Sequence, residues 1–460
     1  MQLVIETSSG QIEGESCGDA NVRRFCGIPY AEPPVGGLRF CRPRPKAPWR
    51  GLWPAKAFPP KAPQGDLTKN RFYAREFYAG EAVPMSEDCL YLNIWTPETG
   101  HDLPVLFWIH GGAFMHGYGS EPEFDGEAFA RQGVIVVTIN YRLGALGFLA
   151  LEALAKEDPL GLTGNYGLWD QLLALRWVRA NIRAFGGDPE RITLAGQSAG
   201  CMSVQVLLSS PEARGLFQAA IMQSGGGLPG LAGAYAMSSR VAASRALLAE
   251  LNLGETPGNN REVLSGLRQA SAEAICLAAY RVNARLGGLN FLPVVDGVLL
   301  KDTVQRLAWR GQIPDLPCLI GSTAQEMGPD TAGLLADSAL AWAVNQERLG
   351  YLAPYVYLFS RALPGDQAGS FHSSELWYEF NTLGRCWRPF TAGDYGLAQA
   401  VQAYWAAFIK TGRPDIPGGP AWPACCSKQP YRLNLDHPIS LKRVSLPPVT
   451  ANFAESADKA

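Results

Sequence analysis

Blocks of consecutive apolar residues alternate with amphipathic stretches through the first half of the chain. Leu103–Ile109 and Val134–Ile139 are almost entirely apolar, which is typical of parallel strands buried on both faces of a sheet. Between Trp169 and Phe185 the large apolar residues recur at helical spacing, and Phe185–Pro189 carries the turn residues expected at a helix end. This alternation predicts an α/β fold with a central, mostly parallel, twisted sheet flanked by helices.

The second half of the chain is richer in helical patterns. Ser238–Leu253 and Asn260–Leu277 are rich in alanine and leucine, and each predicts a helix within a mainly helical insertion at about residues 228–305. Tyr355–Phe359 predicts another strand, and Leu397–Lys410 predicts a late amphipathic helix. Because the chain shows neither an internal repeat nor a linker of biased composition, we expect one domain over residues 1–460.

One glycine-flanked serine stands between a strand pattern and a helix pattern. The run Gly196-Gln197-Ser198-Ala199-Gly200 fits G-x-S-x-G; Arg191–Ala195 before it predicts a buried strand, and Cys201–Leu208 after it predicts a helix. Small residues around a serine are common, so the strand–turn–helix setting gives the motif its weight. In that setting Ser198 is a candidate nucleophile, and the Ala199 amide at the helix start suits an oxyanion.

A serine nucleophile needs a histidine base and a carboxylate that orients the base. Among the five histidines, His372 lies in a polar loop after a predicted strand, and the residues alone leave it as either the base or an exposed loop histidine. The acid should lie between Ser198 and His372 and follow a strand. Glu326 follows the apolar run Pro317–Gly321, Asp330 comes four residues later, and spacing does not decide between them.

The other four histidines have weaker claims. His110 begins the run His110-Gly111-Gly112 after a strand, which resembles an oxyanion loop in which the glycine amides act and the histidine is structural. His116 follows that loop and could line the cleft. His101 and His437 fall in polar turns.

Composition narrows the class of protein. The 460 residues are 47% hydrophobic with a net charge of −2, so there is no basic footprint for nucleic acid. The N-terminus reads as an edge strand rather than a signal peptide, and no apolar run is long enough to span a membrane. Ten cysteines without paired C-x-x-C motifs predict free thiols, no zinc site and a cytoplasmic protein.

Several long motifs, in order along most of the chain, resemble the type-B carboxylesterase family, which includes cholinesterases and bacterial p-nitrobenzyl esterases. Besides the serine motif and the His110 loop, the matching segments are Phe25–Gly36, Leu38–Phe40, Ser86–Ile94, Asn140–Gly144, Gly164–Leu168 and Gln223–Gly225.

The resemblance implies an α/β-hydrolase fold in which helical insertions form the walls of a gorge. It also implies a catalytic triad of Ser198, Glu326 and His372, which needs no metal or cofactor. The implied oxyanion hole is formed by the amides of Gly111, Gly112 and Ala199. It further implies structural ion pairs between Arg39 and Glu87 and between Arg142 and Asp170. By the same resemblance, Ser224 lies near the triad.

Three departures from the family pattern refine this expectation. Secreted relatives often join the cysteine of the Cys89 motif to one in an upstream Cys-Pro-Gln, but this chain has Lys61–Gln64 (Lys-Ala-Pro-Gln) there, which supports a cytoplasmic protein. Gln197 stands where relatives often carry Glu, which argues against a cationic, choline-like substrate. The segment around 327–354 is shorter than the family pattern leads us to expect, which predicts an open site that admits bulky esters.

The sequence therefore predicts a bacterial serine carboxylesterase that acts on small-molecule esters through an acyl-enzyme. We expect a monomer or weak homo-oligomer that binds neither nucleic acid nor membrane. An amide or carbamate hydrolase with the same triad is the main alternative. A non-catalytic binding module is disfavoured because Ser198, Glu326 and His372 are all present.

Overall fold

Eleven strands form the central sheet in the computed structural model of the protein, which describes residues 3–18, 21–65, 71–78, 83–231, 236–254 and 260–448. The strands of the molecule are β1 (Val4–Thr7), β2 (Gly10–Glu13), β3 (Glu15–Cys17), β4 (Val22–Pro29), β5 (Leu52–Pro54), β6 (Tyr91–Pro97), β7 (Leu103–Ile109), β8 (Ile135–Ile139), β9 (Gly187–Gln197), β10 (Ala219–Gln223), β11 (Cys318–Thr323), β12 (Tyr355–Phe359), β13 (Tyr431–Leu435) and β14 (Ser440–Arg443).

The large sheet has the order β14-β13-β12-β11-β10-β9-β7-β8-β6-β4-β3. All neighbours from β13 to β8 are parallel, and antiparallel pairs complete both edges. The strands β1, β2 and β5 form a separate small sheet. This mostly parallel sheet confirms the predicted α/β-hydrolase fold.

Helices cover the sheet and fill the connections between its strands. They are α1 (Arg71–Phe77), α2 (Glu127–Arg131), α3 (Gly144–Phe148), α4 (Glu152–Ala155), α5 (Tyr166–Asn181), α6 (Ala199–Ser209), α7 (Met237–Glu250), α8 (Asn260–Gln269), α9 (Ala272–Leu286), α10 (Val304–Trp309), α11 (Pro329–Leu349), α12 (Leu376–Glu379) and α13 (Ala392–Thr411). None of these helices, as far as the chain is described, is long and apolar enough to cross a membrane.

The continuous apolar run of β7 is explained by burial on both faces. Phe107 and Ile109 belong to one apolar core, whereas Leu106 and Trp108, which point the other way, belong to a second core. Successive side chains of a strand point to opposite faces, so a strand covered on both sides needs apolar residues at every position. The prediction of a strand over Leu103–Ile109 is confirmed.

Two predicted boundaries are wrong. The single helix expected over Asn260–Leu277 is divided into α8 and α9, because the Ser271 hydroxyl accepts a hydrogen bond from the Ala274 amide at 3.1 Å and starts a new helix. The strand before the serine motif begins at Gly187 rather than Arg191, because Gly187 already pairs with Leu103 of β7.

Helices α7, α8 and α9 lie within the predicted insertion at 228–305, and the 21-residue α11 occupies most of the segment at 327–354. The single-domain organisation and the shortening of that segment stay predictions.

Candidate active site

Ser198 lies at the sharp turn between β9 and α6. Its φ of 57° and ψ of −123° are unusual for a residue with a side chain, and the residue is only partly buried. A Cβ atom on Gly200 would lie 2.0 Å from the Ile109 carbonyl oxygen, and one on Gly196 would lie 2.6 Å from the Gly200 carbonyl carbon. The turn therefore needs glycine on both sides, and it presents the Ser198 hydroxyl at the end of the parallel strands.

Gly200→Ala should lower the free energy of unfolding by about 3 kcal/mol or more, since the added methyl group meets backbone that cannot rotate away. Urea unfolding measures this. Gly396→Ala is the matched control: Gly396 is exposed within α13 with open space around it, so alanine there should add about 0.5–1 kcal/mol. Equal stability of the two variants would contradict the tight packing at Gly200.

The base and the acid meet beside this turn. The His372 Nδ1–H donates a hydrogen bond to Glu326 Oε2, and the Thr323 amide donates to Glu326 Oε1 at 2.8 Å. Backbone contacts fix the same pair, because the His372 amide donates to the Glu326 carbonyl at 3.2 Å. Asp330, by contrast, is exposed in the first turn of α11. Of the two acid candidates, Glu326 is the one that contacts His372.

His372 is buried, with 6% of its surface exposed, so the alternative of an exposed loop histidine is wrong. Burial alone would lower the pKa of His372, but the hydrogen bond and the charge of Glu326 outweigh it and raise the pKa above its ordinary value. Because Glu326 holds the proton on Nδ1, the neutral ring keeps its lone pair on Nε2. This is the arrangement that a general base requires.

Gln197 faces that lone pair. Its Nε2 lies 3.3 Å from His372 Nε2, so the amide donates to the neutral ring. The side chain is buried and uncharged. An imidazolium at His372 would therefore find one carboxylate, Glu326, in hydrogen-bond contact rather than two.

The glycine loop approaches the serine turn as an oxyanion hole requires. A Cβ on Gly111 would lie 3.1 Å from Ser198 Cβ, so the backbone of this loop lies directly against the turn that carries Ser198. Gly112 has a φ of +94°, and a Cβ there would lie 2.2 Å from the His116 carbonyl oxygen. Ala199 is the first residue of α6, where amides have no partner within the helix.

The Gln64 side chain fixes this loop through two hydrogen bonds to Gly117, a role that the sequence did not reveal. Its Nε2 donates to the Gly117 carbonyl at 3.1 Å, and the Gly117 amide donates to its Oε1 at 3.0 Å. The side chain is buried. The one available signal was its place after Pro63 in the segment that lacks the expected cysteine.

The remaining histidines do not contact the triad candidates in the described residues. His110 stacks on Tyr141 with ring centroids 4.4 Å apart, and burial lowers its pKa to about 4, so it is neutral and structural. His116 hydrogen-bonds the Tyr280 hydroxyl at 2.8 Å, and burial followed by the Lys61 charge lowers its pKa to about 4. His101 is exposed.

Two buried carboxyl groups behind His372 were missed by the sequence reasoning. Ser224 donates to Glu375 at 3.4 Å, and Gln223 Nε2 donates to Glu379 at 2.7 Å. Burial and the nearby charge of Glu326 raise the pKa of Glu375 to about 7, and burial raises the pKa of Glu379 as well. Ser224 therefore contacts Glu375 rather than His372, and the role near the triad that the resemblance implies for it stays a prediction.

Both expected ion pairs are confirmed as anchors of loops. Arg39 pairs with Glu87 and also donates to the Ala270 carbonyl at 2.6 Å, just after the end of α8. Arg142 and Asp170 form a buried pair at 2.7 Å. All ten cysteines are unpaired, Cys89 among them. The described part of the chain contains no group of three or more ligating side chains that could hold a metal ion.

Comparison with known proteins gives independent evidence on the family of this chain. Residues 1–351 match the sequence profile of the carboxylesterase family. The chain is 40% identical over 338 residues to fumonisin B1 esterase from Sphingopyxis macrogoltabida, which covers 71% of this chain but only 56% of that esterase. It is 34% identical to para-nitrobenzyl esterase from Bacillus subtilis (strain 168), covering 95% of this chain and 96% of that protein. A solved para-nitrobenzyl esterase structure superposes with a TM-score of 0.85 at 31% identity, covering 98% of this chain and all of the other.

Proposed function

This chain belongs to the carboxylesterase family and is a carboxylic ester hydrolase, and from that premise we propose that Ser198, His372 and Glu326 form its catalytic triad. The observation that carries the proposal is the hydrogen bond from His372 Nδ1 to the buried Glu326 carboxylate. His372 lies beyond the residues matched by the family profile, so its role rests on this geometry.

In the proposed mechanism one nitrogen, His372 Nε2, carries the proton in both the acylation and the deacylation. The His372 Nε2 lone pair exchanges its hydrogen bond with Gln197 for one with the Ser198 hydroxyl. It takes the hydroxyl proton as the Ser198 oxygen attacks the ester carbonyl. The resulting oxyanion accepts hydrogen bonds from the oxyanion loop and the start of α6, from the amides of Gly111, Gly112 and Ala199. The His372 Nε2–H then protonates the leaving alcohol. The same nitrogen then takes a proton from water, which attacks the acyl carbonyl; as the bond between the acyl carbon and the Ser198 oxygen breaks, His372 returns the proton to that oxygen and the acid leaves.

We further propose neutral esters as the substrate class, with room for bulky groups. The neutral Gln197 amide, rather than a second carboxylate, faces the imidazole, so the site offers little to attract a cationic alcohol. One relative is named for a para-nitrobenzyl ester, whose aromatic ring requires space. The unpaired thiols and the missing partner of Cys89 support a cytoplasmic protein, and the bacterial para-nitrobenzyl esterase relative supports a bacterial source. We retain the expectation of a monomer or weak homo-oligomer.

An organophosphonate followed by peptide mass spectrometry tests the triad. We expect one adduct, on Ser198, because the reagent mimics the tetrahedral intermediate and needs an activated serine. His372→Ala should abolish the labelling, whereas His101→Ala, which removes an exposed histidine, should label at the rate of the unmodified protein. Ester turnover without a Ser198 adduct would contradict the proposal.

A further inference from the structure

The short helix α1 packs directly against the residue that precedes the base. The Phe72 ring meets the Phe371 ring edge-on at 4.9 Å, and the Phe77 ring lies 6.4 Å from the same ring. Phe77 also stacks on Trp377 of α12 at 5.7 Å. Helix α1 therefore contacts the residues that flank His372 on both sides in the sequence, Phe371 before it and Trp377 after it.

A buried ion pair fixes the orientation of this helix. Arg388 Nε donates to both oxygens of Glu76 at 2.9 Å, and neither side chain has exposed surface. Arg388 Nη1 also donates to the Pro364 carbonyl at 2.9 Å and to Asp366 at 2.8 Å, at the start of the loop that leads to His372. Trp387 Nε1 donates to Glu76 at 3.0 Å.

The same guanidinium lies on Phe371. The Arg388 Cζ is 5.2 Å from the centre of the Phe371 ring. Phe371 in turn pairs with Glu326 as an isolated β-bridge, directly before the His372–Glu326 hydrogen bond. A continuous series of contacts therefore runs from Glu76 through Arg388 and Phe371 to the triad candidates.

We propose that Glu76 and Arg388 are positioning residues, which hold the His372 imidazole in register with Ser198 by clamping α1 onto Phe371. The proposal rests on the proposed triad. A buried ion pair contributes little net stability compared with well-packed apolar residues, because both charges lose their hydration. Its directional hydrogen bonds instead fix one geometry. A small shift of a base relative to its nucleophile lowers the rate steeply.

Glu76→Gln is the sharpest variant. The amide oxygen can take the place of Oε2, which accepts from Trp387 and Arg388, but the amide nitrogen then takes the place of Oε1 and cannot accept the other hydrogen bond of Arg388 Nε. The variant also removes the carboxylate charge that pairs with the guanidinium. We expect kcat to fall by roughly 10- to 100-fold with KM changed much less, and phosphonate labelling of Ser198 to slow by the same factor. The low-field proton resonance of His372 Nδ1–H should also shift.

Asp170→Asn is the matched control. It weakens an equally buried carboxylate–arginine pair, in which both oxygens of Asp170 accept hydrogen bonds from Arg142. It should lower the unfolding free energy as Glu76→Gln does but leave kcat and the resonance unchanged. If both variants lose activity in proportion to stability, or if folded Glu76→Gln retains the kcat and resonance of the unmodified protein, the positioning role is overturned.

Phe72→Leu gives a second test without any buried charge. Phe72 is only partly buried, so the variant should fold, and we expect a fall of several-fold in kcat with a shift of the same resonance. No change in either would overturn the clamp even if Glu76→Gln fails to fold. Failure of the triad itself looks different, because the unmodified protein would then show no Ser198 adduct.

Discussion

Replacing Ser198 by alanine should lower kcat for ester hydrolysis by on the order of 10⁶-fold, because no other group at the turn can form the acyl-enzyme. Alanine keeps the Cβ and the strained backbone, with its φ of 57°, so the free energy of unfolding should change little. Steady-state turnover of a p-nitrophenyl ester and urea unfolding measure the two quantities on one preparation. A residual rate within 100-fold of the unmodified enzyme would exclude Ser198 as the nucleophile.

Two further variants separate chemistry from structure at this turn. Ser198→Gly should be as inactive as alanine but at least as stable, since glycine adopts positive φ without the strain of about 1–3 kcal/mol that a side chain imposes. Ser203→Ala removes a buried hydroxyl one turn further along α6, where it accepts a hydrogen bond from Gln171 at 3.0 Å. It should cost some stability and leave kcat unchanged. The contrast separates the loss of the nucleophile from the loss of a buried hydroxyl that only supports the structure.

The nucleophile turn could be predicted because its causes are local. A buried strand, two glycines and an apolar helix are all contiguous in the sequence, and the close approach of Gly200 to Ile109 explains why the glycines are required. The parallel strand β7 was predictable for the same reason, since burial on both faces leaves a continuous apolar run.

The base and the acid could not be fixed in the same way because their causes are distant. His372 looked like an exposed loop histidine because the residues around it are small and polar. The loop that carries it packs against α1, whose Phe72 and Phe77 lie about three hundred positions earlier and contact the preceding Phe371. Likewise Glu326 and Asp330 were indistinguishable by spacing.

The choice between these two carboxylates depends on where α11 begins. Glu326 has a φ of +44° and turns into the site before the helix, whereas Asp330 falls in the first turn of the helix and faces solvent. The acidic residues Glu375 and Glu379, just before α12 and at its end, were overlooked for a related reason: their hydrogen-bond partners, Ser224 and Gln223, lie about 150 positions earlier at the end of β10.

Glu326→Gln should lower kcat by on the order of 10⁴-fold. The amide group can donate to His372 Nδ1, which favours the tautomer with its proton on Nε2 and removes the lone pair that accepts the serine proton. Asp330→Asn, at the exposed position four residues later, should leave kcat unchanged. Equal losses in the two variants, or a full loss in Asp330→Asn alone, would reject Glu326 as the orienting acid.

The pH dependence of the residual activity of Glu326→Gln gives a second, independent test of the role of Glu326. Glu326 raises the pKa of His372 above its ordinary value despite burial, and the enzyme is active with the imidazole neutral, so activity is lost as pH falls through that raised pKa. Removing the carboxylate charge lowers the pKa of His372. The acid limb of kcat/KM should therefore move to lower pH in Glu326→Gln, although the plateau falls. Glu375 also raises the pKa of His372, but its effect is smaller than that of Glu326 and cannot replace it. An acid limb that stays in place or moves to higher pH would mean that another group governs the protonation state of the base.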